Sequence, residues 1–379
     1  MTELLAASVV LVGYVFAGYP ALVGLLARLR PRPVALDPSY LPRVSVIVLA
    51  YNEEHIIVSR LQNVAELDYP PDRLEVIVVA DGSTDATAER AASVAGTRVL
   101  FDPARGGKLA AMNRGADAAS GEILVFSDAN NRYGRGTVRA LVAPFADPSV
   151  GVVGGRKAID DGHGRPLDRA EGAYWRYEAR LKQWENATGS VPGVPGEIVA
   201  FRRESYQRPR PGTMNDDSVQ AMMAALAGWR IAYAHDAVSL ERASATLAGE
   251  ATRRSRLTTG RWQALWQLLP ALAVRRPGFA WRLVSHKGLR PLVPFCLAAI
   301  AVSSAVLAAS HGWALALVVV QAAFYATAGL GWAVERRGGP SRLFYLPYYF
   351  CRMNLATLEG FRNFVRRRHE AVWAKVERA

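Results

Sequence analysis

The 379-residue chain carries 46 Lys and Arg against 33 Asp and Glu, a formal net charge of +13, and 51% of its residues are hydrophobic. Two cysteines exclude a disulfide framework and a zinc cluster. The basic excess does not point to nucleic acid: no zinc finger or aromatic-basic RNA motif is visible, and many arginines flank apolar segments, which favours contact with anionic membrane lipids.

In chain order, Leu4 to Leu26 is nearly all apolar and uncharged, long enough for a bilayer at about 20 residues. Arg28, Arg30 and Arg32 follow at once, so the positive-inside rule puts that end in the cytoplasm. A cleaved signal peptide fits less well, because Glu3 stands where a basic start belongs. Val44 to Leu49 and Val76 to Val79 are short β-branched runs and are expected as buried parallel strands. The first stops in Ala50-Tyr51-Asn52-Glu53-Glu54 and the second in Ala80-Asp81-Gly82-Ser83-Thr84-Asp85. Ligands of open α/β sheets sit outside the carboxyl ends of such strands, so these clusters face one crevice. Taken alone, each reads equally well as an ordinary turn, and Ser83 or Asp85 also suits a cap for a helix starting near Ala86.

A short strand at Val99 to Phe101 and a helix from Lys108 to Ala119 come next. The strand Ile123 to Phe126 then ends in Ser127-Asp128-Ala129-Asn130-Asn131. Alternate side chains at a strand end point to one side, so Asp128 and Asn130 form a candidate metal pair suited to a cation bridging a diphosphate. Val150 to Val153 completes a doubly wound α/β layout, and the polar stretch Asp160 to Arg169 is expected as a surface loop.

In this order the motifs resemble the family 2 glycosyltransferases of GT-A fold. The resemblance rests on the two acidic strand ends, Gly107-Lys108-Leu109-Ala110-Ala111-Met112-Asn113-Arg114-Gly115 and Phe126-Ser127-Asp128-Ala129-Asn130, and covers roughly residues 41 to 262. It implies inverting transfer of a sugar from a nucleotide-diphosphate donor, UDP-linked by first expectation, with a divalent metal, Mg2+ or Mn2+. By the same resemblance Tyr51, Glu53 and Asp81 contact base and ribose, and Lys108 lies near the donor. Asp128 matches the first acid of the family's Asp-x-Asp motif, where Asn130 departs from the second.

Asp216-Asp217 matches the family's base triplet, with Asp217 as general base and Asp216 as fallback. Capping of a helix starting near Ser218 is compatible with that role. His235 is expected as a structural hydrogen-bond partner. Arg253-Arg254-Ser255-Arg256-Leu257 with Gly260 resembles the Gln-x-x-Arg-Trp segment, with Arg253 for Gln and Leu257 for Trp. A second register ends in Arg261-Trp262. Arg256 and Arg253 are expected to neutralise the departing diphosphate. Tyr174, Trp175, Tyr177 and Trp184, with Val194-Pro195-Gly196-Glu197, lie where the family shapes its acceptor site, although core packing explains the same pattern.

Leu292 to Ser310 and Trp313 to Val334 are two further apolar spans, with Lys287, Arg290, Arg336 and Arg337 at their outer ends. Leu343 to Val365 is more polar and is expected to lie at the interface, with a fourth span as the alternative. The expected organisation is a membrane helix over 1–32, a cytoplasmic catalytic domain over 41–245, interfacial helices over 246–290, a membrane hairpin over 291–335 and an interfacial or fourth membrane helix with a basic end over 341–379. The chain is thus expected in the inner cell membrane as a multi-pass protein. It would serve a lipid-linked or glycan acceptor, with export subunits as further partners. The alternatives are a processive exopolysaccharide synthase subunit and a catalytically inactive nucleotide-sugar-binding regulator. A nucleotidyltransferase would not need the membrane hairpin or the Asp216-Asp217 pair, and a transporter would want more polar residues in its spans.

Overall fold

The computed structural model describes residues 1–160, 166–337 and 344–367. Among these residues eight strands form one mixed sheet in the order β3-β2-β1-β4-β7-β6-β8-β5. They are β1 (Val44–Ala50), β2 (Leu74–Asp81), β3 (Thr97–Asp102), β4 (Ile123–Asp128), β5 (Arg132–Tyr133), β6 (Val150–Asp160), β7 (Val199–Arg202) and β8 (Arg230–Arg242). β1 to β4 are parallel to their neighbours, and the direction reverses where β4 meets β7. Every residue of β1 is buried, as its β-branched composition and two-sided covering require.

Register decides where the chemistry sits. Ala50 pairs with Ala80, Leu49 with Asp128 and Asp81 with Asp102. The carboxyl ends of β1, β2 and β4 are therefore level, and the acidic clusters beyond them share one edge of the sheet. Alternate side chains feed two cores. Ile47, Leu49, Ile77 and Val79 pack on one face with Met112, Phe126 and Met222. Val46, Val48 and Val78 pack on the other with Ile57, Leu61, Leu141 and Phe145.

Among the described residues three helices are long and apolar enough to cross a membrane: Thr2–Leu29, Pro277–Leu307 and Gly312–Arg336. The first is tied to the helix Pro166–Thr188, where the Tyr19 hydroxyl donates to Glu185 at 2.6 Å and Val23 packs against Leu181. His286, in a widened turn over Val284–Gly288, lies between Glu185 and Glu178 at 2.8 and 3.2 Å. Lys287 and Arg290 both pair with Glu178. These two cations, expected at lipid headgroups, are thus held inside the protein by a carboxylate.

The helix Tyr345–Val365 is not among the three apolar spans. It lies across the long helix Leu247–Arg275, and Thr259 Oγ1 donates to the Gly360 carbonyl at 3.0 Å. The expected loop at Asp160 to Arg169 is corrected in part. Residues 161–165 lie outside the described residues, but Leu167 and Asp168 are buried in the first turn of Pro166–Thr188. Leu167 joins a cluster with Leu247, Ala251, Met353 and Ala356, which turns that stretch inward. Residues 338–343 and 368–379 also lie outside the described part, and with them much of the basic carboxyl-terminal run.

Candidate active site

The loops after β1 and β2 are fastened to each other. Asn52 adopts a left-handed φ of 52°, and its Oδ1 accepts from the Thr84 amide at 2.9 Å. The Glu53 amide donates to Thr87 Oγ1 at 2.7 Å, and the Glu54 carboxylate accepts from the Ala86 amide at 3.1 Å. Asp85 Oδ1 accepts from the Thr87 amide at 3.0 Å, a local cap. The two clusters therefore meet at one end of the sheet, and Asp85 orders the start of the helix Thr87–Ala92.

Asp81 is buried, and its oxygens accept from the Gly106 and Gly107 amides at 3.1 and 2.7 Å, with Arg114 Nη2 at 3.5 Å. It was expected on base and ribose; its carboxylate here holds the loop before Lys108. That loop carries a residue the motifs did not flag. The Arg105 guanidinium lies 3.6 Å from the centre of the Tyr51 ring. Gly82 permits this approach: its φ is +68°, and a Cβ there would fall 2.5 Å from Arg105 Cβ.

Lys108 opens the helix Lys108–Ala118, a position that the helix dipole disfavours for a cation. Its Nζ donates to Asp128 Oδ1 at 2.7 Å. Burial pulls its pKa down, but Asp128, Asp216 and Asp217 outweigh burial and hold the ammonium well above the ordinary lysine range. Asn130 Oδ1 is buried and accepts no hydrogen bond. An acceptor oxygen without a donor beside a carboxylate suits a hard cation. Among the described residues no cluster of three His, Cys, Asp or Glu could hold a metal by itself. Asp128 and Asn130 therefore fit a cation whose remaining ligands are substrate phosphates and water.

Asp216 and Asp217 form the first turn of the helix Asp216–Leu226, one turn of which suits acids at its amino end. Asn215 precedes them, and its Nδ2 donates to the Leu257 carbonyl at 2.9 Å, tying this helix start to Leu247–Arg275. The two acids face different spaces. Asp216 lines a small pocket with Lys108 and Asn113. Asp217 opens on a separate cavity between the helices Pro166–Thr188 and Leu247–Arg275. Burial, then the neighbouring Asp216, push the Asp217 carboxyl up to about 6 against the pull of Lys108. Burial likewise raises Asp216, with Lys108 opposing. Gly196 sits between: a Cβ there would lie 3.1 Å from Asp217 Oδ2 and 3.3 Å from Lys108 Nζ.

Arg256 and Arg253 separate in role. Burial and Arg253 push Arg256 down to about 10, while Asp216, Asp128 and Asp217 resist, which places its charge within reach of the crevice. Arg253, expected at the diphosphate, instead forks onto Glu250 through Nε at 2.8 Å and Nη2 at 3.2 Å. Trp262 of the second register stacks on Phe364 at 6.2 Å and meets Phe361 edge-on at 5.4 Å, so it packs the carboxyl-terminal helix. Its neighbour Arg261 lines the Asp217 cavity, as do Tyr174 and Trp175. His235 lines a different pocket, with Arg156, Arg176 and Arg180.

Residues 45–208 match the family model described as Glycosyl transferase family 2. This segment is a family 2 glycosyltransferase domain. The fold is likewise that of the mannosyltransferase PcManGT from Pyrobaculum calidifontis, solved in complex with GDP-Man and Mn2+. The two are 28% identical, superpose with a TM-score of 0.72, and the match covers 96% of this chain and 99% of that one. Among curated relatives, the β-monoglucosyldiacylglycerol synthase of Synechocystis is 29% identical over 202 residues, half of this chain. The glycosyltransferase AglE of Haloferax volcanii is 28% identical over 268 residues, 68% of this chain and 85% of its own length. The match spans only 42% of the Synechocystis enzyme.

Proposed function

We propose that the protein is an inverting glycosyltransferase that moves a sugar from a nucleotide-diphosphate donor to a membrane-associated acceptor, a lipid or a growing glycan. One observation carries this reading: Lys108 bonds Asp128 at 2.7 Å on the donor side and stands across Gly196 from Asp217 on the other. Donor phosphates and acceptor base are thereby brought to one point. In this reading Tyr51 and Glu53 meet the base and ribose, and Asp81 acts by shaping the Gly106-Gly107 loop.

Asp217 takes the proton of an acceptor hydroxyl while that oxygen bonds to the anomeric carbon from the face opposite the leaving group. The bond from that carbon to the diphosphate oxygen breaks, and the nucleoside diphosphate leaves with the electron pair. Arg256 and Lys108 face the charge that develops on it. A divalent cation held by Asp128 and Asn130 would neutralise part of the same charge. A carboxyl at about pKa 6 is well matched to a base working near neutral pH.

Three apolar helices, with the Arg28, Arg30 and Arg32 cluster, support a membrane protein whose domain faces the cytoplasm. The names of the relatives support a glycolipid product. The test is incubation of the purified full chain in lipid nanodiscs with radiolabelled UDP- and GDP-sugars, followed by lipid extraction. Label in one lipid-soluble product that disappears in Asp217→Asn supports the reading, and a ladder of products supports a processive synthase. Nucleotide binding with no sugar transfer to any lipid or glycan would overturn it.

A further inference from the structure

The cavity beside Asp217 holds more positive charge than its own carboxylates can balance. Glu178 is met by Lys287 at 2.7 Å and by Arg290, Glu250 by the Arg253 fork, and Glu197 by Lys157 at 3.2 Å. Three further cations line the same space: Lys182, Arg254 and Arg261. Among the described residues none of the three side chains makes a hydrogen bond or a close ion pair with a carboxylate, although Glu250 attracts Arg254 and Glu178 attracts Lys182 and Arg261 at longer range. Lys182 is only 5% exposed and lies 5.7 Å from the centre of the Tyr233 ring. Arg254 lies 5.1 Å from the Tyr174 ring centre and keeps a buried Nε without an acceptor. Arg254 and Arg261 are seven residues apart on one helix, two turns on the same face.

Unpaired cations in a secluded cavity are costly unless something anionic joins them. For two of the three, the electrostatics point the same way. Burial and the nearby Lys287 lower Lys182 from the ordinary lysine value against the pull of Glu178, Glu197 and Glu185, whereas Tyr174 and Glu250 raise Arg254 despite its burial. Burial, opposed by Tyr174 and reinforced by Arg254, brings Arg261 down to about 10. The donor diphosphate is provided for elsewhere, since neither Lys108 nor Asp128 lines this cavity. Lys287, within the candidate membrane span Pro277–Leu307, does line it, so the space reaches from the base to an apolar helix.

We propose that this cavity is a subsite for the phosphate or diphosphate group of a lipid-borne acceptor, gripped by Lys182, Arg254 and Arg261 so that an acceptor hydroxyl reaches Asp217. The inference rests on the transferase reading and narrows it: the acceptor is an anionic lipid, not a neutral one such as a diacylglycerol. Guanidinium forks suit phosphate oxygens, and Tyr174 and Trp175 offer faces for a sugar ring beside them.

The test uses the full chain in detergent with farnesyl phosphate, farnesol and inorganic phosphate as probes, measured by calorimetry on wild type, Lys182→Met and Arg261→Met. Farnesyl phosphate should bind wild type at least about tenfold more tightly than farnesol, and each variant should lose about tenfold of that preference. The melting temperature of the variants should hold or rise, because an unmatched buried charge has been removed. Equal binding of farnesyl phosphate and farnesol to wild type would overturn the subsite. So would variants that keep the preference. Inorganic phosphate binding as tightly as farnesyl phosphate would overturn its lipid character. Release of nucleoside diphosphate from UDP- and GDP-sugars is followed separately. Its absence alongside an intact preference counts against the transferase reading and not against the anion subsite.

Discussion

Gly260 packs against Asn215 so closely that a Cβ on the glycine would fall 2.7 Å from the asparagine Cγ and 2.9 Å from Met214 Cβ. Asn215 precedes the two acids of the first helical turn and is bonded to Leu257. The spacing of Gly260 after Arg256 thus has a physical cause: the glycine lets the Asp216-Asp217 helix start dock on the long helix that carries the arginines. Gly260→Ala must move Asn215, and with it Asp217. Displacement of a reacting group by about 1 Å can cost on the order of 100-fold in rate. The expected outcome is a kcat reduced by about that factor with donor affinity nearly unchanged, measured by steady-state kinetics beside nucleotide titration. An unchanged kcat would mean that the helix start does not position the base.

Asp217→Asn is expected to lower turnover by about 100- to 10,000-fold while preserving nucleotide binding. Wild-type activity should fall as pH drops through about 6, because protonation there removes the base. Stability should move the other way. A carboxyl whose folded pKa lies above its unfolded value binds more protons when folded, so its contribution is complete below the unfolded value and is lost as pH rises through about 6. Asp217→Asn removes that loss. Its melting temperature should therefore exceed wild type at pH 7.5, by roughly 2–4 °C per kcal/mol relieved, and the gap should close near pH 4. Calorimetric scans at the two pH values check the sign.

The strand ends were legible because their chemistry and register are both local. β-branched runs stopping in Tyr51-Asn52-Glu53 and Asp81-Gly82-Ser83 announce parallel strands with a ligand edge, and the level pairing of Ala50 with Ala80 follows from the same runs. What those acids do within the edge was less legible. Asp81 turns to the Gly106 and Gly107 amides, a contact across 25 residues that no motif spacing encodes. Arg105 over Tyr51 was missed for the same reason, although a basic residue before two glycines was its only signal. Lys182, Arg254 and Arg261 meet only when two long helices cross, which no local pattern encodes. The burial of Leu167 and Asp168 was hidden because a polar sequence next to two glycines has the profile of a loop.

Divalent metal should be required on the donor side. Dialysis against a chelator should abolish sugar transfer, and Mn2+ or Mg2+ should restore it. A readout independent of activity is the spectrum of free Mn2+ titrated with protein and nucleoside diphosphate. Wild type should take up Mn2+ only with the diphosphate present, because Asp128 and Asn130 form an incomplete cage. Asp128→Asn should abolish that uptake, and Asn130→Ala should weaken it. Full activity in the chelator would sink the assignment.

The last prediction separates the two arginines that one motif would treat alike. Arg253 holds Glu250 with two nitrogens, Glu171 lies 4.0 Å away, and burial followed by Glu250 pushes the Glu171 carboxyl up to about 7. Removing the guanidinium leaves two buried carboxylates without their cation, a defect that typically costs about 3–5 kcal/mol. Arg253→Ala should therefore be strongly destabilised, and its activity per folded molecule should fall only modestly. Arg256 faces the opposite demand. Burial and Arg253 lower its pKa against the pull of Asp216, Asp128 and Asp217, so its loss relieves repulsion from Arg253 as well as removing a cation from the crevice, and the two effects on the fold offset. Arg256→Ala should keep its melting temperature within a few °C of wild type while kcat falls by about 100-fold or more, the scale for losing a preorganised group that meets developing charge. Thermal scans paired with initial rates decide it: if both variants lost stability and kept kcat per folded molecule, neither arginine would act on the leaving group.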